Sequence, residues 1–211
     1  MQRMRILVTS FDPFGGSPVN PTIAIAAILA PLVASREVVF LQLPVVGGDH
    51  AQSARGLSRH AIEVVRPSTV VHLGEAQTRS RISFERVAIN LRDGRVKDNA
   101  GILTTDLPVV EGGPSAYFSN LPLRDLQQAC DRVGVAQEIS LSAGAFLCNE
   151  VMYGSLHDMH VGTSRVQRCG FIHVPQLPEQ ALARGGPSLD AETSARAIHA
   201  ILECLLDGES G

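Results

Sequence analysis

Short apolar runs of strand length alternate with helix-length segments along nearly the whole chain. That alternation restricts the fold more than any other feature of the 211 residues. Arg5–Ser10 (RILVTS), Glu37–Val45 (EVVFLQLPV) and Ser68–Gly74 (STVVHLG) are rich in β-formers and almost continuously apolar, the pattern of buried strands. Arg81–Asn90 (RISFERVAIN) alternates in part, and AQEISLS and RCGFIHVP complete the strand set. Between them, Asn20-Pro21 opens a helix with Asn as N-cap and Pro at its first position, running on until Pro31 disturbs it. Gly48–Arg66 reads as a helix ending before Pro67, and LPLRDLQQACDRVG as one ended by Gly134. A further helix begins near Phe146. A last one is expected to be capped by Ser188, with Asp190 and Glu192 in its first turn and Ala195, Ile198, Leu202 and Leu205 along one face. The alternation predicts an α/β fold, a mostly parallel sheet covered by helices on both faces. At this length a single domain spanning 1–211 is expected. Ligands of such sheets lie at the carboxyl ends of the strands.

Composition removes several function classes. The formal charge of −3 gives no footprint for nucleic acid or for an anionic membrane. The N-terminal MQRMRILVTSFDPF has no secretory pattern, and no window approaches the roughly 18 consecutive apolar residues of a spanning helix, so a cytoplasmic protein is expected. Cys130, Cys148, Cys169 and Cys204 match no zinc or C-x-x-C spacing and are expected as free thiols. Gly15-Gly16 belongs to no phosphate-loop motif. His157 and His160 are spaced i, i+3 but lack a carboxylate to complete a metal site, so no metal is expected. Leu91 to about Ser119 shows no period, and a loop of that length inside a compact domain is often functional.

The strand ends carry the chemistry. Cys148 follows the strand EISLS through the small-residue turn Ala143-Gly144-Ala145 and sits at the start of a helix. There the dipole and the unpaired N–H groups favour a thiolate and can hold an oxyanion, one such donor being worth about 2.7–4 kcal/mol. The competing reading is a small buried hydrophobe. His173 ends the strand after the Cys148 helix, which is expected to neighbour the strand before it. A histidine there can act as base towards the thiol. Glu75, Glu85, Asp93 and Asp98 are candidates to orient the imidazole. Glu85 stands out because it lies among residues expected to be buried, where a carboxylate needs a partner such as His173, but the residues alone slightly favour a plain Glu–Arg pair. Phe11 and Phe14 in FDPFGG offer an apolar slot for a flat ring, or else a hydrophobic plug.

Five blocks in register resemble the pyroglutamyl peptidase I family: ILVTSFDPFGGSPVNP, ERVAINLRDGRVKDNAG, SAGAFLCNEVMYGSLH, GFIHVPQLPEQ and PSLDAETSARAIHAIL. The resemblance covers nearly the whole chain. It implies an α/β/α three-layer sandwich with a mostly parallel, mixed sheet, and a cysteine exopeptidase that removes N-terminal pyroglutamate from peptides. It implies Cys148 as nucleophile, His173 as base and then acid, and Glu85 as orienter. It implies that Phe11, Phe14 and Phe146 line the lactam pocket with Asn20 close by, that Arg95 joins the Cys148 N–H at the oxyanion, and that no cofactor is needed. Its members commonly form tetramers, so a homotetramer or homodimer is expected. Two positions depart from the pattern. GEAQTR (Gly74–Arg79) places Glu75 where relatives usually have a Gln that can bind substrate, and CNE places Glu150 where they usually have His. Glu75 in that place could accept from the lactam N–H. Glu150 should oppose a thiolate unless it points to solvent or pairs with Arg. These departures leave open a hydrolase of another cyclic or N-blocked amide, or a binding protein on the same scaffold.

Overall fold

The structure, a computed structural model, describes residues 5–207. Its strands are β1 Ile6–Phe11, β2 Val38–Leu43, β3 Thr69–Glu75, β4 Ile82–Glu85, β5 Val87–Ile89, β6 Ala116–Phe118, β7 Gln137–Ser140 and β8 Arg168–Val174. Six of them form one sheet in the order β2-β1-β3-β8-β4-β7, and β5 pairs with β6 in a separate antiparallel ribbon. β2, β1, β3 and β8 are parallel; β4 joins β8 antiparallel and β7 parallel. The sheet is therefore mixed and mostly parallel, as the pattern of elements predicts.

The helices are α1 Pro21–Leu32, α2 Ala54–Val65, α3 Leu123–Arg132, α4 Leu147–His160, α5 Pro178–Arg184 and α6 Ala191–Asp207. Residues of α1, α3 and α6 bury one face of the sheet, and residues of α2 and α4 the other. Period-2 side-chain geometry divides each strand between the two layers. Ile6 and Val8, Val71 and Leu73, Ile82 and Phe84, and Ile172 and Val174 face α1, α3 and α6. Leu7 and Phe11, Val70, and Cys169 and Phe171 face α2 and α4. No helix among the described residues is long and apolar enough to cross a membrane.

Local chemistry explains most boundaries. Asn20 caps α1, its Oδ1 accepting from the Thr22 N–H at 3.0 Å, with Pro21 at the first helical position. Pro31 lies inside the last turn, where the helix is about to end in any case. α2 starts later than Gly48, because Ser53 accepts from the Gly56 N–H at 3.0 Å and so caps it. In α6, Asp190 and not Ser188 accepts from a first-turn N–H, that of Thr193, at 2.6 Å. α5 has no signature in the sequence, because seven residues with Pro178 at the start carry too little periodicity to register.

Two expectations about strands need correction. The run Arg81–Asn90 is not one strand. It breaks at Arg86, whose N–H donates to Ser140 and whose carbonyl accepts from Ser119, so β4 stays in the sheet while β5 leaves to pair with β6. The partner β6 lies within the segment taken for loop. Nor does the His173 strand adjoin the strand before Cys148: β4 lies between β8 and β7.

Candidate active site

Inserting β4 between β8 and β7 places a carboxylate beside the histidine. His173 is paired across the strands with Ser83, and Glu85 with Phe171. Residues paired in this way share a face, so Glu85 is the diagonal neighbour of His173 and within reach of a long side chain. His173 Nδ1 meets Glu85 Oε1 at 2.8 Å, with Glu85 fully buried and His173 nearly so. On the other flank His173 is paired with Gly74 of β3. Gly74 lacks the atom that would obstruct the site: a Cβ there would lie 2.6 Å from the Phe171 ring and 3.0 Å from Cys148 Sγ. The sulfur thus sits over the strand next to His173, near enough for Cys148 to act electrostatically on the imidazole.

The local sequence puts the sulfur there for a physical reason. Gly144 takes a left-handed φ of 78°, which turns the chain tightly between β7 and α4. Phe146 occupies the N-cap of α4 and gives no side-chain cap, unlike Asn20 of α1 and Ser53 of α2. Leaving a helix start without a polar cap costs about 1 kcal/mol. It also keeps the first N–H groups of α4 open to an incoming anion beside Cys148.

Electrostatics single out the same pair. Burial alone would pull the His173 imidazole down, but the Cys148 sulfur and the Glu85 carboxylate outweigh it and raise it to about 9. At neutral pH the imidazole therefore carries its proton. The buried thiols are unsuited to attack: burial pushes both Cys130 and Cys169 up to about 12. Burial also raises Cys204, and all four cysteines are unpaired.

Arg79, which sequence reading passed over, closes the far side. Its guanidinium donates to Glu85 Oε1 at 3.3 Å, to Ser140 Oγ at 2.8 Å, to the Ser142 carbonyl at 3.2 Å and to Glu138 at 3.0 Å. Glu85 therefore has both the histidine and the arginine that the two competing readings offered it. Its position as the last residue of GEAQTR, straight after a strand end, was the available signal.

The aromatic candidates divide. Phe14 and Phe146 are half-buried, with ring centroids 6.4 Å apart. Phe11 is buried behind them against Phe171, at 6.2 Å. Asn20 is buried and fully engaged: besides capping α1 it donates to the Asp12 carbonyl at 3.2 Å and so braces the FDPFGG turn. Glu75 is not directed at the sulfur. It follows Gly74 in the strand and faces the opposite way; its carboxylate bonds Arg184 and accepts from Gln180 at 3.1 Å. Arg95 is exposed, with no hydrogen bond or ion pair among the described residues. Asp98 accepts from the N–H groups of Gly47, Ala100 and Ile102, and Asp93 is exposed, so neither joins His173. Glu150 pairs with Arg92 at 3.0 Å, the alternative that removes its threat to a thiolate.

The chain is similar to known proteins over nearly its whole length. Residues 4–207 match the family model described as pyroglutamyl peptidase. The pyrrolidone-carboxylate peptidase of Levilactobacillus brevis is 40% identical over 204 residues, covering 96% of this chain and 98% of that protein. The one from Gloeobacter violaceus is 42% identical, covering 96% and 97%. Among solved structures, pyroglutamyl peptidase I from Bacillus amyloliquefaciens superposes with a TM-score of 0.88 at 32% identity, covering 96% of this chain and 95% of that one. The pyrrolidone carboxyl peptidase of Pyrococcus furiosus gives 0.89 at 38% identity, covering 97% and 99%.

Proposed function

Because the chain belongs to the pyroglutamyl peptidase family and is a cysteine-type exopeptidase that removes N-terminal pyroglutamate from peptides, we propose that Cys148, His173 and Glu85 carry its reaction. The observation that carries this assignment is the His173 imidazole, bonded to Glu85 at 2.8 Å and raised by the Cys148 sulfur that lies over the adjoining strand at Gly74.

His173 carries the proton, and Cys148 reacts through its thiolate form, the nucleophilic state of a cysteine. The pyroglutamyl ring, flat and uncharged, enters between Phe14 and Phe146 with Phe11 behind, an arrangement suited to an aromatic-walled site. The thiolate attacks the acyl carbonyl. The oxyanion that forms takes the N–H of Cys148 at the uncapped start of α4, with Arg95 as a second contributor from the adjoining loop. His173 then passes its proton to the leaving amine, and the C–N bond breaks to leave a thioester. Water, deprotonated by the now neutral imidazole, attacks the thioester; the C–S bond breaks, pyroglutamate leaves, and the thiolate and protonated imidazole are regenerated. Glu85 keeps Nδ1 protonated and stabilises the imidazolium. Asn20 shapes the pocket by bracing the FDPFGG turn.

Glu75 and Glu150 motivated the idea of a different acyl group, and both are already answered by arginines, Arg184 and Arg92. The pocket therefore faces the lactam without a bare carboxylate. Peptide substrates, a homotetramer or homodimer, and action in the cytoplasm complete the reading; sedimentation of the purified protein tests the assembly. For the chemistry, Cys148→Ala should lower release of aminomethylcoumarin from its pyroglutamyl amide by at least about 10⁴-fold while leaving the melting temperature intact. Substantial turnover by that variant would refute the assignment.

A further inference from the structure

Glu150 lies in the first turn of α4, two residues after Cys148, and is buried. Two separate segments converge on its carboxylate. Oε1 accepts from the Gly48 N–H at 2.7 Å, in the loop after β2. Oε2 accepts from Arg92 Nε at 3.0 Å, in the loop after β5. Gly47 is wedged against both side chains: a Cβ there would stand 3.2 Å from Arg92 Nη2 and 3.2 Å from Glu150 Oε2.

Arg92 opens a flap with a defined frame. It forms an isolated antiparallel bridge with Leu107, and Gly94 donates to the Thr104 carbonyl. The flap is tied to the neighbourhood of the site at three points. The Asp93 N–H donates to the Ala145 carbonyl, in the turn just before Phe146, at 2.7 Å. The Gly94 backbone lies against the Phe146 ring, a Cβ there being 3.1 Å from it. Asn99 donates through Nδ2 to the Pro13 carbonyl at 3.0 Å, next to Phe14. Phe146 thus rests against this flap and the turn that holds Phe14 is bonded to it, while its root is fixed to α4 by the Arg92–Glu150 charge pair and by Asn149, which donates to the Leu91 carbonyl at 2.9 Å.

We propose that Arg92 and Glu150 are a positioning pair that seats the 92–107 flap against Phe146 and Phe14, and so governs capture of the lactam ring rather than the bond-breaking step. The proposal rests on the assignment of the Phe14–Phe146 slot to the ring. Neither residue touches the reacting atoms. Burial works against a charged Glu150, while Arg92 and the Gly48 N–H work for it, so the pair stands or falls together.

The test is a double-mutant cycle read as separate KM and kcat values with pyroglutamyl-aminomethylcoumarin, each variant first checked by thermal melting. Arg92→Ala should raise KM about tenfold, and Glu150→Gln about three- to tenfold, each with kcat within about threefold of wild type. The double variant should show the KM of the worse single change, because both break the same clamp. Arg92→Lys, which keeps the charge, should recover most of the loss. Multiplied KM effects in the double variant, or a fall in kcat at constant KM, would overturn the clamp. Unchanged KM in every variant, alongside normal wild-type turnover, would also overturn it and leave the slot assignment standing. Absence of turnover in the wild-type enzyme would instead indict the slot.

Discussion

The two faces of the central sheet are built from the same strands and differ almost completely in chemistry. Towards α1, α3 and α6 the strands present Ile6, Val8, Val71, Leu73, Ile82, Phe84, Ile172 and Val174. Towards α2 and α4 they also present Thr9, His72, Gly74, Ser83, Glu85 and His173. Buried polar groups are tolerated there because they meet one another. His72 bridges Thr9 Oγ1 at 2.8 Å and Ser155 Oγ of α4 at 3.0 Å, and Glu85 meets His173. The contrast shows how one sheet serves two purposes: the period of two lets one face hold the molecule together while the other holds ionisable groups in a dry, fixed arrangement. In β3 the change of role takes a single step, since Leu73 faces the apolar layer and Gly74 the sulfur.

The largest effect that would probe this division is at Glu85. Glu85→Gln keeps an acceptor for His173 but removes the charge that supports the imidazolium. It should lower kcat by about 10²–10⁴-fold with little change in melting temperature. A loss of less than tenfold would mean that the polar face does not depend on that carboxylate.

Next come the two neighbours in β3, which should fail in opposite ways. Leu73→Ala should cost about 2–5 kcal/mol in denaturant unfolding and leave kcat/KM within about twofold. Gly74→Ala puts a methyl 2.6 Å from the Phe171 ring and 3.0 Å from Cys148 Sγ, and should reduce kcat/KM about 10²-fold through displacement of the sulfur. Similar activity losses from both would erase the distinction between the faces.

The smallest effect concerns pH. Burial pushes His72 down to about 3, so the folded protein leaves it neutral where the unfolded chain, titrating near 6.5, takes up a proton. Proton uptake by the unfolded state means that stability falls as pH drops below about 6.5, by about 1.4 kcal/mol per unit until His72 itself titrates. Between pH 6.5 and 5 this group should remove about 2 kcal/mol of stability, and a foldable His72→Gln variant should lack that component when unfolding curves at the two pH values are compared. An identical pH dependence in the variant would place the acid sensitivity elsewhere.

Much of the fold was legible where short-range rules act. Asn20-Pro21 announced α1 through cap chemistry, and the apolar runs announced β1, β2, β3 and β8. Cys148 and His173 were legible as a helix start and a strand end. What could not be read were decisions made by distant partners. The run Arg81–Asn90 gives no local signal that it will divide at Arg86, because the division follows from the main chains of Ser119 and Ser140, far along the sequence. The order of β7, β4 and β8 was misjudged for a similar reason: pairing is a contest among strands, and the chain between them does not decide it. Glu75 and Glu150 looked like exposed or intrusive charges until the structure supplied Arg184 and Arg92, which lie 109 and 58 residues away.

The sequence by itself determined which residue types recur with a period of two or near four, where helices can start, and which side chains have the chemistry for acyl transfer, since each depends only on neighbours along the chain. The tertiary structure alone decided that β4 would lie against β8, that Gly74 would leave room for a sulfur, and that Glu75, Glu85 and Glu150 would each find a cation. These outcomes depend on burial and on distances across the sheet. In a water-poor interior, the cost of an unpaired charge makes such remote matches obligatory, and no local pattern records them.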